Sequence, residues 1–295
     1  MSPARPARLT LAGAGGLELA VDHWSAPGRQ PVILLHGGGQ TRHAWGETGR
    51  VLAARGYDVM TVDLRGHGDS GWAAGGDYSF DAFRDDLFAV QAHIGRPAVL
   101  IGASLGGIAA LLAAGEGPPE RVRALVLVDI THRPSVDGAA KIQSFMMQGG
   151  EGFGTLEGAA DAVAAYLPHR RRPTDPTGLL KNLRERDGRL YWHWDPQFLS
   201  TAAGDGGRSD GRLDRAAAAV RAPTLLVRGS RSDIVTPDDA EAFLRLVPGA
   251  ELVEVAGAAH MVAGDENTAF GEGLLGFLER AAPPHLSIDD RLSSA

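Results

Sequence analysis

Six short apolar runs constrain this chain more than any other feature: Val32–Leu35, Tyr57–Val62, Ala98–Ile101, Val122–Val128, Thr224–Val227 and Leu252–Val255. Each is predominantly apolar, as expected of a strand buried on both faces. Between them lie segments of helical periodicity at Ala44–Arg55, Phe80–Ile94, Leu105–Ala114, Pro237–Leu246 and Thr268–Arg280. Parallel strands need a crossover, and a helix fills it, so the alternation predicts an α/β fold: a mostly parallel central sheet with helices on both faces. Residues 7–13 and 17–26 alternate about Gly15-Gly16 and predict an antiparallel hairpin ahead of that sheet.

The rhythm breaks between Thr131 and about Val220, where helical patterns at Ala139–Met147, Leu156–Tyr166 and Gly178–Arg186 stand without a buried strand. The expected organisation is a core formed by 1–130 and 221–282, a helical cap inserted over 131–220, and a loosely attached tail over 283–295. The insertion holds Phe145, Met146, Met147, Phe153, Tyr166, Tyr191, Trp192, Trp194 and Phe198. These side chains line an apolar pocket or form the insertion's own core, and Met146, Trp192 and Trp194 are the candidates for substrate contact.

Composition narrows the function by exclusion. A formal net charge of -7 argues against a nucleic-acid surface, and the one basic cluster, at 169–172, reads as a solvated loop. Arginine far outnumbers lysine, present only as Lys141 and Lys181, which reads as compositional bias in a chain rich in Ala and Gly. With no cysteine there is neither a disulfide nor a thiolate nucleophile. The first residues carry no apolar stretch of the secretory kind and no run reaches membrane-spanning length, so a cytoplasmic protein without a membrane partner is expected. No metal-ligand spacing, Rossmann fingerprint or P-loop occurs, so no cofactor or metal is expected. Oligomeric state is not encoded in any motif.

Ile101-Gly-Ala-Ser104-Leu-Gly-Gly107 joins a strand to a helix. A direct strand-to-helix passage turns sharply at Ser104, and Gly102 and Gly106 admit backbone where a Cβ would collide. The turn exposes the Ser104 hydroxyl and leaves the Leu105 N–H at a helix N-terminus, where it can receive a developing oxyanion. Serine is a weak nucleophile without a base. His260 fits best, since it follows Leu252–Val255 through the small-residue loop 256–259 and so lies at the carboxyl end of a strand. Asp233, in the loop after Thr224–Val227, is the candidate to orient it, with Asp129, at the end of Val122–Val128, as the competitor. The second oxyanion donor is expected from His36-Gly-Gly-Gly39: Gly38 first, then Gly39, which also borders the substrate.

His36-Gly-Gly-Gly39, Asp63-Leu-Arg-Gly-His-Gly-Asp-Ser70, the Gly102–Gly106 elbow, Gly229-Ser-Arg-Ser-Asp233 and Gly257-Ala-Ala-His260-Met together resemble the recurrent blocks of the α/β-hydrolase superfamily, in their usual order. The resemblance covers nearly everything outside the insertion. It implies the fold, the Ser-His-Asp triad, and a structural role for the Asp63–Ser70 turn. Epoxide hydrolases and haloalkane dehalogenases of the superfamily use an aspartate where this chain has Ser104. Cofactor-free haloperoxidases usually carry Met where it has Leu105. The expected activity is cofactor-independent hydrolysis of an ester or related acyl bond in a small, largely apolar molecule. Carbon–carbon hydrolysis of a diketone-like acid, perhydrolase or haloperoxidase chemistry, or a lyase reaction would use the same residues.

Overall fold

The structure is a computed structural model and describes residues 5–166, 172, 174–202, 211–258 and 268–285. The chain opens with the hairpin β1 (Ala7–Ala12) and β2 (Glu18–Trp24), turned through Gly15 and Gly16, both at positive φ. The core continues with β3 (Pro31–Leu35), α1 (Gly46–Ala54), β4 (Asp58–Val62), α2 (Phe80–Ile94), β5 (Ala98–Ala103), α3 (Ser104–Glu116) and β6 (Val122–Val128). Residues 131–220 contribute α4 (Val136–Met147), α5 (Leu156–Tyr166), β7 (Leu183–Arg186), β8 (Arg189–Trp192), α6 (Pro196–Ala202) and α7 (Arg212–Ala219). After them come β9 (Thr224–Gly229), α8 (Pro237–Leu246), β10 (Glu251–Val255) and α9 (Thr268–Ala281).

Eight strands form one sheet in the order β1-β2-β4-β3-β5-β6-β9-β10, parallel throughout except for the pairings β1 to β2 and β2 to β4. Successive strand residues point to opposite faces, so an unbroken apolar run feeds two cores. Ile33, Leu35, Leu100, Leu125, Leu127 and Leu226 belong to one. Val32, Leu34, Val99, Ile101, Val126, Val128, Leu225 and Val227 belong to the other, with Phe270, Leu274 and Phe277 of α9.

Helix boundaries follow their capping chemistry. Ser79 accepts from the Ala82 N–H at the start of α2, which ends on Gly95 at φ 68. Thr236 and Asp239 cap each other's backbone at the start of α8, with Pro237 in its first turn.

Two departures from the sequence reading lie within 131–220. The pattern over Gly178–Arg186 is not one helix: residues Thr177–Asn182 form a 3-10 segment, and β7 then pairs with β8 in a hairpin turned by Asp187 (φ 51) and Gly188 (φ 70). An Asp-Gly pair with both residues at positive φ makes the tight turn whose twist matches two antiparallel strands. The other departure is α7, which buries Leu213, Ala216 and Ala217 and lies so close to α3 that a Cβ on Gly115 would sit 2.1 Å from the Ala216 carbonyl oxygen.

The arginines are not mere compositional drift. Arg42 is buried among Asp22, Asp63 and Asp69, and the pair Arg65–Asp86 is buried and bidentate. Arg212 ties α7 to Glu116 of α3 and Asp81 of α2.

Candidate active site

The carboxyl ends of β5, β6, β9 and β10 lie side by side in the sheet, and the sequence candidates follow them. Ser104 stands immediately after β5 at φ 46, in the left-handed region that a residue with a side chain seldom occupies. The surroundings hold it there. A Cβ on Gly102 would lie 2.4 Å from the Gly106 carbonyl oxygen, and one on Gly106 would lie 2.6 Å from the Leu35 oxygen and 2.7 Å from that of His36. The Gly106 N–H donates to the His36 oxygen at 3.1 Å, locking the elbow against the glycine loop. As the second residue of α3, Leu105 has an N–H with no intrahelical acceptor.

The loop after β3 is held by its own polar groups. The Gly37 N–H donates to Gln40 Oε1 at 2.9 Å, and the Gln40 N–H returns to the Gly37 oxygen at 3.1 Å. Gly39 turns at φ 74, and its carbonyl accepts from His193 Nε2 at 3.4 Å. The Gly38 N–H has no hydrogen-bond partner among the described residues. An ideal Cβ on Gly37 would lie 3.4 Å from Ser104 Cβ, and one on Gly38 would lie 4.0 Å from Leu105 Cδ2. The structure thus brings Ser104, Leu105 and Gly38 together.

Beneath the loop lies a stack of three buried histidines, His36, His67 and His193, with ring centroids 5.3 and 5.9 Å apart in sequence. His36 Nε2 accepts from the Leu64 N–H at 3.0 Å, so its proton sits on Nδ1 and is donated to the Gly37 oxygen at 2.8 Å. His193 Nδ1 accepts from the Gly68 N–H at 2.7 Å, leaving Nε2 as the donor to Gly39. Burial lowers His36 to about 4 and His67 to about 3, the latter also by the neighbouring His36, and it puts His193 well below its ordinary value. All three are neutral at pH 7 and serve as hydrogen-bonding struts.

The Asp63–Ser70 turn docks the insertion. Arg184 of β7 donates to the Gly68 oxygen and to Asp69, the Asp195 N–H donates to the Gly66 oxygen, and Tyr78 donates to Asp195. Met146 is buried against the glycine loop, where a Cβ on Gly39 would lie 3.2 Å from its sulfur. Trp192 and Trp194 stack at 5.0 Å between centroids within an aromatic cluster that includes Phe145 and Phe153. Phe198 of α6 was not among the sequence's site candidates. It faces both Gly38, 3.7 Å from an ideal Cβ there, and the edge of His67.

The two carboxylate candidates sit differently. Asp129, immediately after β6 at φ 50, is fully buried and accepts from Ser232 Oγ at 2.6 Å and from the Gly229 N–H at 3.2 Å. Asp233 is half-exposed and meets Lys141 Nζ of α4 at 2.9 Å. His260 lies outside the described residues, as do 169–171 of the basic cluster and the tail beyond 285.

An eight-stranded, mostly parallel sheet in this order, with a serine on the strand-to-helix elbow after β5, defines the α/β-hydrolase class. The chain belongs to the α/β-hydrolase family: the model of the alpha/beta hydrolase fold matches residues 30–266. It is 32% identical over 258 residues to esterase Rv0045c of Mycobacterium tuberculosis, spanning 84% of this chain and 82% of that one. Over 271 residues it is 29% identical to the mouse sn-1-specific diacylglycerol lipase ABHD11, spanning 84% and 80%. The crystal structure of E-2-(acetamidomethylene)succinate hydrolase superposes with a TM-score of 0.81 at 24% identity, covering 93% of this chain and 99% of that one, a likeness of fold. The chain is a hydrolase. Among the described residues no helix is long and apolar enough to cross a membrane.

Proposed function

We propose that this hydrolase is a cofactor-independent serine enzyme that cleaves an ester or related acyl bond of a small, largely apolar molecule. The observation that carries this reading is the strained Ser104 beside a glycine loop whose Gly38 N–H is unpaired. Ser104 Oγ attacks the carbonyl carbon while His260 takes its proton, and the Leu105 and Gly38 amides receive the negative charge that develops on the carbonyl oxygen. Collapse expels the alcohol, protonated by His260, and leaves an acyl-serine. Water, deprotonated by the same base, then releases the acid. Asp233 holds the His260 tautomer. Met146 and Phe198, which face Gly39 and Gly38, give the acyl side an apolar wall. The relatives named as an esterase and a diacylglycerol lipase support an ester over other acyl bonds.

The test is a screen of p-nitrophenyl esters of graded acyl length, lactones and diketone acids, with Ser104→Ala as the blank. Ester turnover that falls by about 10⁴ or more in Ser104→Ala is expected. Ester turnover that survives in Ser104→Ala overturns the assignment, and turnover of diketone acids alone moves the substrate class to carbon–carbon bonds.

A further inference from the structure

The insertion reaches the proposed acid directly. Lys141, an exposed residue of α4, places its ammonium 2.9 Å from Asp233 Oδ2. The docking that brings it there is close: a Cβ on Gly138 would lie 2.9 Å from the Asp233 carbonyl oxygen and 2.2 Å from Ile234 Cδ1. The Ser135 N–H, at the cap of α4, donates to the Ile234 oxygen at 3.3 Å. Tyr166 of α5, stacked on Phe145, is pushed up to about 12 by burial and by the charge of Asp233. Asp137 of α4 adds its charge beside Lys141, and Asp129 is joined to the same loop through Ser232. Lys141 is thus the cation among the groups that α4 and α5 bring to Asp233.

We infer that Lys141 is a positioning residue through which the docked cap sets the orientation of Asp233 and the basicity of its partner. This role rests on the reading of Asp233 as the triad acid. A cation held against Asp233 Oδ2 biases the rotamer in which the carboxylate is presented. The same positive charge opposes formation of the imidazolium at His260, so it keeps the base neutral to lower pH. Without Lys141 the imidazole gains protons more readily, and activity, which needs it unprotonated, begins at higher pH. The pair is about half-exposed, so the effect is modest and weakened by salt.

The experiment measures kcat/KM for one p-nitrophenyl ester across the acid limb, at about 0.02 M and about 0.5 M salt, in native enzyme, Lys141→Met, Lys141→Arg and Asp233→Asn. The expected result is an upward shift of the acid-limb midpoint by about 0.3–0.6 pH unit in Lys141→Met at low salt, roughly halved at high salt. Lys141→Arg should restore the native midpoint. A Lys141→Met profile that superimposes on the native one at both salts overturns the role while leaving the acid assignment intact, provided Asp233→Asn is still crippled. Equal shifts in Lys141→Met and Lys141→Arg also overturn it, since packing rather than charge would then be responsible. Near-native turnover in Asp233→Asn removes the acid assignment and the role of Lys141 with it.

Discussion

Ser104 and Asp129 share a conformation that neither would choose alone: both stand one residue beyond a paired strand end and both turn at positive φ. Holding a side-chain-bearing residue in this region costs of order 1–3 kcal/mol, and the surrounding backbone must supply it. For Ser104 the supply is visible in Gly102 and Gly106, which the sequence made legible because no larger residue fits. For Asp129 it is the pair of hydrogen bonds from Ser232 and Gly229, which no local pattern announces. The two carboxylates therefore predict different failures. Asp233→Asn should lower turnover by about 10⁴ through the wrong His260 tautomer, with little change in thermal stability. Asp129→Asn should lower the unfolding temperature and touch turnover far less, because it replaces a buried oxygen that accepts from Ser232 or Gly229 with an amide group. Turnover and melting measured on both variants decide the matter, and a reversed pattern would place the acid on β6.

Elements with a strong period were readable, and those made by local turn chemistry or long-range docking were less so. The ends of α2 and the start of α8 match their caps, and β3, β4, β5, β6 and β9 are buried apolar runs, whereas β10, expected to be buried on both faces, is the edge strand and is largely exposed. Gly178–Arg186 carries good helix formers, yet Asp187-Gly188 commits it to a hairpin whose β8 strand bridges Phe153, so turn chemistry and tertiary pairing override propensity. Helix α7 is short, and its fit against α3 depends on Gly115, a hundred residues away. The contact of Lys141 with Asp233 is equally beyond sequence, since it exists only once α4 is docked. A pair of glycine substitutions tests the packing. In a helix Gly→Ala ordinarily stabilises by up to about 1 kcal/mol. Gly271→Ala in α9, where a Cβ meets nothing within 4 Å, should follow that rule. Gly115→Ala should instead lower the melting temperature by several degrees, at about 1–3 kcal/mol, because its Cβ meets the backbone of α7. Shifts of the same sign in both variants would show that α7 does not sit against α3 as described.

For the molecule as a whole, the histidine stack under the glycine loop couples stability to pH. His36, His67 and His193 are neutral when folded and regain their ordinary value near 6.5 when unfolded. The unfolded chain then binds more protons, so their contribution is complete above about pH 7 and is lost as the pH falls from about 6.5 towards 4 and below. A falling urea midpoint between about pH 7 and about pH 5 is expected, with a shallower fall in His67→Gln, and a midpoint flat across that range would contradict the buried neutral stack. Because those struts hold the Gly37 and Gly39 carbonyls, the same protonation would loosen the loop that presents the Gly38 amide. That amide matters only if Ser104 is an activated nucleophile, which covalent labelling with a fluorophosphonate followed by peptide mass mapping reads directly. The predicted result is one adduct per chain, on Ser104, with loss of ester hydrolysis in proportion to labelling and no adduct in Ser104→Ala. Labelling at another residue, or an unlabelled enzyme that still hydrolyses esters, would contradict it.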